Sequence, residues 1–397
     1  MPKTIVILLD GTSNEVARNR THILRLYGCL KKDEGQLVYY DPGVGTFGAE
    51  NAWSSTYRKG HEVWGLATGW GVDQNVKEAY RFLIRHYSHG DKEAGTDPDR
   101  IVLGGFSRGA YTARVLAGFL HALGLISPEN DNLVDYAYRA YRQVSDDDSD
   151  SGGKDPDHNP FAAVRLFDRM LRAPRVAIDI MMLFDTVGSV IEWKRGPDVR
   201  RYAFTERNPS VKAVRHAVAI DERRAMFTPQ LWPTGGEFWG RSPVRPQEPE
   251  PQDVNEVWFS GVHGDIGGGY PEEDSALGKV VLEWMLEETE PLGLRYKTRT
   301  INRIVKGLTE GDGYVKPKAT ADRNESMNAG WKLLEYWPRR KRDENGHKVA
   351  GLGGFYLGRS RRRVIPDGAQ IHNSVFERRG TDKDYDQPNI PDNHVKV

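Results

Sequence analysis

Ile101-Val102-Leu103-Gly104-Gly105-Phe106-Ser107-Arg108-Gly109, running on into Ala110-Tyr111-Thr112-Ala113-Arg114-Val115-Leu116-Ala117, decides the fold. Its opening residues are β-branched or leucine and give way to glycine, the composition of a buried strand. Ala110 to Leu125 follows as a strongly apolar helical run. Between them lies Gly-x-Ser-x-Gly, a sharp strand-to-helix turn that presents a serine hydroxyl at the top of a sheet. The glycines let chain segments approach closely, and the helix start offers N–H groups at a positive dipole end. Five residues of such common types carry little weight alone. The strand before and the helix after give them weight.

The same grammar repeats outward from this turn. Ile5-Val6-Ile7-Leu8-Leu9 stops at Asp10-Gly11-Thr12, and Leu37-Val38-Tyr39-Tyr40 stops at Asp41-Pro42-Gly43. Arg175 to Phe184 stops at Asp185-Thr186-Val187-Gly188, and Ala213 to Ile220 and Val254 to Phe259 read as further strands. Val76, Ala79, Tyr80, Leu83 and Tyr87 recur at helical spacing, as do Leu277, Val281, Trp284 and Met285. Strands alternating with helices predict an α/β fold, a mostly parallel sheet flanked by helices, with chemistry beyond the carboxyl ends of the strands. The expectation is a single domain over 1–397 with cap-like insertions near 127–172, 222–253 and 286–370. The polar tail from Gly380 is expected on the surface.

With 397 residues, 38% hydrophobic and 28% charged, the chain has the composition of an ordinary globular protein. Its 56 basic and 56 acidic residues cancel, so no global field steers it to nucleic acid, and no nucleic-acid partner is expected. Cys29 is the only cysteine, which rules out an intramolecular disulfide and a cysteine-based metal cluster. The apolar run at Ile5–Leu9 is too short for a signal-peptide core and lacks a cleavage site. A cytoplasmic protein, or one delivered by a signal-peptide-independent secretion system, is expected.

Several blocks, in order along nearly the whole chain, carry a resemblance. They are Leu9-Asp10-Gly11-Thr12 with Asn14, Tyr40-Asp41-Pro42-Gly43-Val44-Gly45-Thr46, and the serine turn through Arg114. Phe184-Asp185-Thr186-Val187-Gly188, His216-Ala217-Val218-Ala219-Ile220-Asp221-Glu222, Trp258 through Gly269 and Ile371-His372-Asn373-Ser374-Val375 follow. In these the sequence resembles the α/β-hydrolase family that includes the first class of type VI secretion phospholipase effectors. The resemblance implies a lipase-like Ser-Asp-His triad and phospholipase A activity on bacterial membranes. It also implies a secretion-apparatus or immunity partner.

An α/β-hydrolase triad runs in the chain order Ser, acid, His. Ser107, Asp185 and His263 fit that order, each lying just past a strand. The base takes the serine proton, while the acid fixes the tautomer and stabilises the imidazolium. Alternatives stand beside each. Asp185 as a turn residue, His216 or His372 as the base, and Asp265 as a loop anchor or auxiliary acid are all compatible with the sequence. The oxyanion hole is expected from the N–H of Arg108 and from Gly11 or Thr12, with Asp10 structural and turned away or paired. No cofactor and no metal is expected.

Other signals are weaker. Gly43-Val44-Gly45-Thr46-Phe47-Gly48 has dinucleotide-loop spacing but does not open into a helix. The acidic run Asp146–Asp150 departs from a Ca²⁺ loop and reads as solvated. Arg339-Arg340-Lys341-Arg342 and Arg361-Arg362-Arg363 read as solvated faces, with lipid head groups as the alternative. Trp53, Trp64, Trp70, Trp232 and Trp239 are expected to pack over the core, or else to form an acyl-binding lid or touch a membrane interface. The expected activity is hydrolysis of a lipid or other carboxylic ester by an acyl-enzyme on Ser107, with peripheral membrane contact. A metal-assisted phosphohydrolase using Asp10 and Asp265 with nearby histidines, and a non-catalytic binding module on the same fold, are the rivals.

Overall fold

In Ile5-Val6-Ile7-Leu8-Leu9 no residue exposes more than 1% of its surface, so both faces of this strand are covered. Alternation sorts its side chains. Ile5, Ile7 and Leu9 enter one apolar cluster, and Val6 and Leu8 enter another on the opposite face. A strand buried on both faces is the signature of a parallel sheet between two helical layers.

The computed structural model describes residues 2–11, 19–43, 70–91, 93–144, 161–188, 191–192, 198–199, 202–336, 339–340 and 355–397. The first half of the chain forms β1 (Thr4–Leu9), α1 (His22–Cys29), β2 (Gln36–Asp41), α2 (Trp70–His86), β3 (Arg100–Phe106), α3 (Arg108–Leu123), α4 (Val134–Arg142) and α5 (Ala162–Leu171). The second half adds β4 (Ile178–Phe184), β5 (Val211–Ala219), β6 (Asp253–Phe259), α6 (His263–Gly267), α7 (Ala276–Thr289), α8 (Ala329–Leu334), β7 (Gln370–Ile371), α9 (Asn373–Thr381) and β8 (Val395–Lys396). These strands make one eight-stranded sheet in the order β8-β7-β6-β5-β4-β3-β1-β2, and every pairing in it is parallel.

Helices α2 and α3 cover one face through Val76, Tyr80, Leu83, Tyr111 and Phe119. Helices α1 and α7 cover the other through Ile23, Leu26, Val281, Leu282 and Met285. The stretch 127–172 supplies α4 and α5, and Val134, Ala137, Tyr138 and Tyr141 of α4 enter the first core cluster.

The C-terminal tail departs from its surface expectation. β8 pairs with β7 at the sheet edge, and Tyr385 and Gln387 are buried, both hydrogen-bonded to the Asp221 carboxylate. Two-residue strands carry no periodic signal, so neither β7 nor β8 is visible in the sequence. Among the described residues no single helix is long and apolar enough to cross a membrane.

Candidate active site

Ser107 stands between the last residue of β3 and the first of α3 with φ 58° and ψ −123°. A non-glycine residue held at positive φ is strained, and the surroundings must enforce it. The Ser107 N–H donates to the Phe184 carbonyl at 3.0 Å, and the Ser107 carbonyl accepts from Tyr111 N–H at 3.2 Å. The flanking glycines make the turn possible. A Cβ on Gly105 would meet the backbone of Gly109 and Ala110 at 2.5 Å.

His263 opens α6 beyond β6, and its Nε2 lies 2.8 Å from Ser107 Oγ. Its Nδ1 lies 2.5 Å from Asp185 Oδ2. A carboxylate accepts only, so Nδ1 carries the proton and Nε2 is left to accept from the serine hydroxyl. Asp185, just past β4 and also at positive φ (42°), is fully buried. Its Oδ1 accepts from Ala219 N–H at 2.9 Å. Burial alone would raise this carboxyl. The Arg363 charge, the His263 hydrogen bond and those from Arg363 outweigh it and hold the group well below the usual carboxylate range. For His263, burial wins over the hydrogen bond and charge of Asp185, and its pKa falls below the ordinary histidine value.

Arg363 corrects a sequence expectation. Read as part of a solvated basic run, it is 7% exposed and forks onto Asp185, Nη1 to Oδ1 at 2.6 Å and Nη2 to Oδ2 at 2.9 Å. Nη1 also donates to the Ala219 carbonyl and Nη2 to the Phe227 carbonyl. Local sequence cannot separate it from Arg361 and Arg362, which are exposed. The only hint is the apolar Val364-Ile365 that follows, with Ile365 buried.

The loop holding His263 is braced by carboxylates. Asp265 accepts from Val262 N–H at 2.9 Å and from Asn324 Nδ2 at 2.7 Å, which makes it a loop anchor. Glu222 accepts from His263 N–H at 3.2 Å and pairs with Arg224 through both oxygens. The His263 ring packs between Phe106 and Phe227, each 4.7 Å away by centroids, and Trp331 of α8 meets Phe227 edge-on at 5.4 Å. Nothing local in the sequence distinguishes Trp331.

The remaining candidates lie elsewhere. His216 is fully buried between Glu256, 2.7 Å from Nδ1, and Thr186 N–H, which donates to Nε2 at 3.3 Å. His372 accepts from Ser374 N–H at the start of α9 and stacks on Phe259. Neither is hydrogen-bonded to the serine. Trp232 is a core residue, 2% exposed under Arg114. Trp239 donates to Glu237. Trp53 and Trp64, the side chain of Trp70, Val44–Gly48 and the acidic run 146–150 lie outside the described residues.

Arg108 is the first residue of α3, and Thr12 lies outside the described residues. Gly11 N–H donates to Asp10 Oδ1 at 2.7 Å, so in this arrangement it is committed to that carboxylate rather than to an oxyanion. Asp10 also accepts from Thr21 and Tyr40, and burial pushes it up to about 6 despite these donors. The carboxylates that a metal-assisted phosphohydrolase would need, Asp10 and Asp265, are thus each held by protein donors. Among the described residues no group of three His, Cys, Asp or Glu side chains is placed to hold a metal ion.

A hydroxyl, an imidazole and a carboxylate in hydrogen-bonded series can move a proton off the serine as it attacks an acyl carbon. Residues 3–288 match the family described as "T6SS, Phospholipase effector Tle1-like, catalytic domain". The chain belongs to this family. Ser107, Asp185 and His263 fall within the Tle1-like match, and Arg363 falls beyond it. An uncharacterized protein of Saccharomyces cerevisiae is 31% identical over 232 residues, 57% of this chain and 32% of that protein. The chain thus spans about a third of that curated relative's length. Among solved structures, an uncharacterized protein from Pseudomonas aeruginosa aligns at 18% identity with a TM-score of 0.38, over 75% of this chain and 46% of that one. The Tle1 effector bound to the VgrG spike of the type 6 secretion system aligns at 19% with a TM-score of 0.35, over 68% and 52%.

Proposed function

We propose that this Tle1-like chain hydrolyses a carboxylic ester of a lipid, phospholipid first, through an acyl-enzyme on Ser107. The observation that carries the reading is the continuous series Ser107 Oγ, His263 Nε2, His263 Nδ1, Asp185 Oδ2, with contacts of 2.8 and 2.5 Å. In the first half-reaction Ser107 Oγ bonds to the acyl carbon as His263 Nε2 takes its proton. Collapse of the tetrahedral species breaks the bond to the leaving alkoxide, which receives that proton. Water then repeats the sequence and releases the acid. The Arg108 N–H at the first turn of α3 is assigned as one oxyanion donor, and Thr12 or a reoriented Gly11 as the second.

The lipid preference rests on family membership and on the apolar surroundings of His263, where Phe106, Phe227 and Trp331 offer an acyl chain aromatic faces. Leu333 and Tyr336, on and just past α8, are 77% and 66% exposed and suit peripheral contact with a lipid surface. Membership of an effector family adds delivery by a secretion apparatus, and an immunity protein, as proposed context.

Turnover of a panel of short esters and phospholipids by wild type and Ser107→Ala, with fluorophosphonate labelling, tests the reading. Hydrolysis and labelling by wild type, both lost in a folded Ser107→Ala protein, are expected. Chelator-sensitive activity without labelling of Ser107 would favour the metal-assisted phosphohydrolase. A folded wild type that neither hydrolyses nor labels would point to a binding module.

A further inference from the structure

Asp185 accepts two hydrogen bonds from one guanidinium 178 residues further along the chain, and that guanidinium is itself anchored on two backbone carbonyls. Those carbonyls belong to Ala219, at the end of β5, and to Phe227, whose ring packs on His263. The fork therefore ties together the acid, the strand beside it and the wall of the base. Resting on the triad reading above, we propose that Arg363 is a positioning residue. It holds the Asp185 carboxylate in register with His263 and sets how acidic the solution must become before His263 ceases to act as a base.

The physical argument has two parts. A planar fork fixes both oxygens of a carboxylate at once, which a lysine ammonium cannot do. Without it Asp185 would keep Ala219 N–H and His263 as its hydrogen-bond donors, and its plane would be free to turn. The second part is charge. Asp185 favours the imidazolium form of His263, and a cation on the far side of Asp185 offsets that preference. The other charged and titratable groups facing this pair are His216 toward Asp185, and Glu222 and Arg224 toward His263. Glu222 and Arg224 are bound to each other, so they largely cancel at His263. Removing the Arg363 charge should therefore make His263 hold its proton to higher pH.

The test uses the full chain and a fluorophosphonate, whose reaction with Ser107 needs the triad but no knowledge of the natural substrate. Labelling rate is followed from pH 4.5 to 8 for wild type, Arg363→Gln and Arg363→Lys, with folding checked by circular dichroism. In Arg363→Gln the acid limb is expected to move up by about one pH unit. Its plateau is expected to fall roughly ten- to a hundredfold. Arg363→Lys should keep the wild-type limb and lose only plateau. A folded Arg363→Gln protein with the wild-type limb overturns the proposal. If Arg363→Gln does not fold, Arg363→Lys decides, since a wild-type plateau there refutes the positioning role and a lowered plateau with an unchanged limb supports it. Absence of Ser107 labelling in wild type would instead overturn the triad reading on which the proposal rests.

Discussion

Gly109 lies so close to Leu9 that a Cβ built on it would stand 2.1 Å from the Leu9 carbonyl oxygen and 2.5 Å from that of Asp10. Both obstacles are backbone at the end of β1, so a rotamer change cannot relieve them. Gly109→Ala must push α3 away from the sheet or distort the serine turn. We expect a loss of several kcal/mol in stability, at the upper end for single substitutions. Labelling of any protein that still folds should fall sharply. Urea unfolding and fluorophosphonate reactivity check the two effects. A folded, normally reactive variant would show that the contact is easily relaxed.

His263→Ala is expected to match Ser107→Ala in its loss of ester turnover, because members of a catalytic unit fail together. His216→Ala should act differently. His216 is wedged between Glu256 and Thr186 N–H, and its removal leaves the half-buried Glu256 carboxylate, which keeps Trp232 N–H, one donor short beside a cavity. That should cost about 2–4 kcal/mol of stability with turnover per folded molecule retained. Near-normal turnover in purified His263→Ala, with a folded but dead His216→Ala, would reverse the assignment.

The parts legible in the sequence are those that repeat a local rule. The turn at Gly105–Gly109 and the strands ending at Leu9, Phe106, Phe184 and Phe259 announce themselves by apolar runs that stop at turn residues, and Asp185 and His263 are picked out by their place after a strand. What was not legible depends on contacts between distant segments. Arg363 resembles its exposed neighbours until the fold carries it to Asp185. Trp331 gains its place only because α8 packs against Phe227. Helix α1 spans only His22–Cys29, and it is fixed by its Thr21 cap and by the His22 contact to Ile266 rather than by a long periodic pattern.

On the proposed triad, the pH dependence of kcat/KM is expected to follow from the burial of His263. A base must be neutral to accept the serine proton, so the rate falls as pH drops through its pKa. Burial lowers that pKa below about 6.5 in spite of Asp185. The acid limb should lie below the ordinary histidine value, with a single proton taken up. Asp185→Asn removes a raising influence and the tautomer control together, so the limb should move lower still and the rate fall by roughly 10³–10⁴. The same change leaves the Arg363 charge buried without its carboxylate, so stability should fall by about 3–5 kcal/mol. An acid limb above pH 7 in wild type would contradict this account.

His22 makes a separate prediction about acid stability. Its Nδ1 donates to the Ile266 carbonyl at 2.9 Å, while the buried Nε2 has no hydrogen-bond partner among the described residues. Burial, reinforced by the Arg25 charge, lowers its pKa to about 3. The unfolded chain would bind a proton here below about pH 6.5, whereas the folded chain resists until far lower pH. Stability therefore falls as pH drops from 6.5 toward 3, and this group contributes nothing to that slope above neutrality. His22→Asn keeps an N–H at the position of Nδ1 but does not titrate. At pH 7 it should lose about 1–2 kcal/mol through the smaller side chain. Between pH 7 and 5 its further loss should be about 2 kcal/mol less than that of wild type. His121 and His372, both lowered to about 4 by burial, remain in the variant, so its stability still declines with acid, only less steeply. Urea midpoints at pH 7, 6 and 5 give the comparison. Parallel declines for wild type and His22→Asn would show that His22 does not contribute to acid lability.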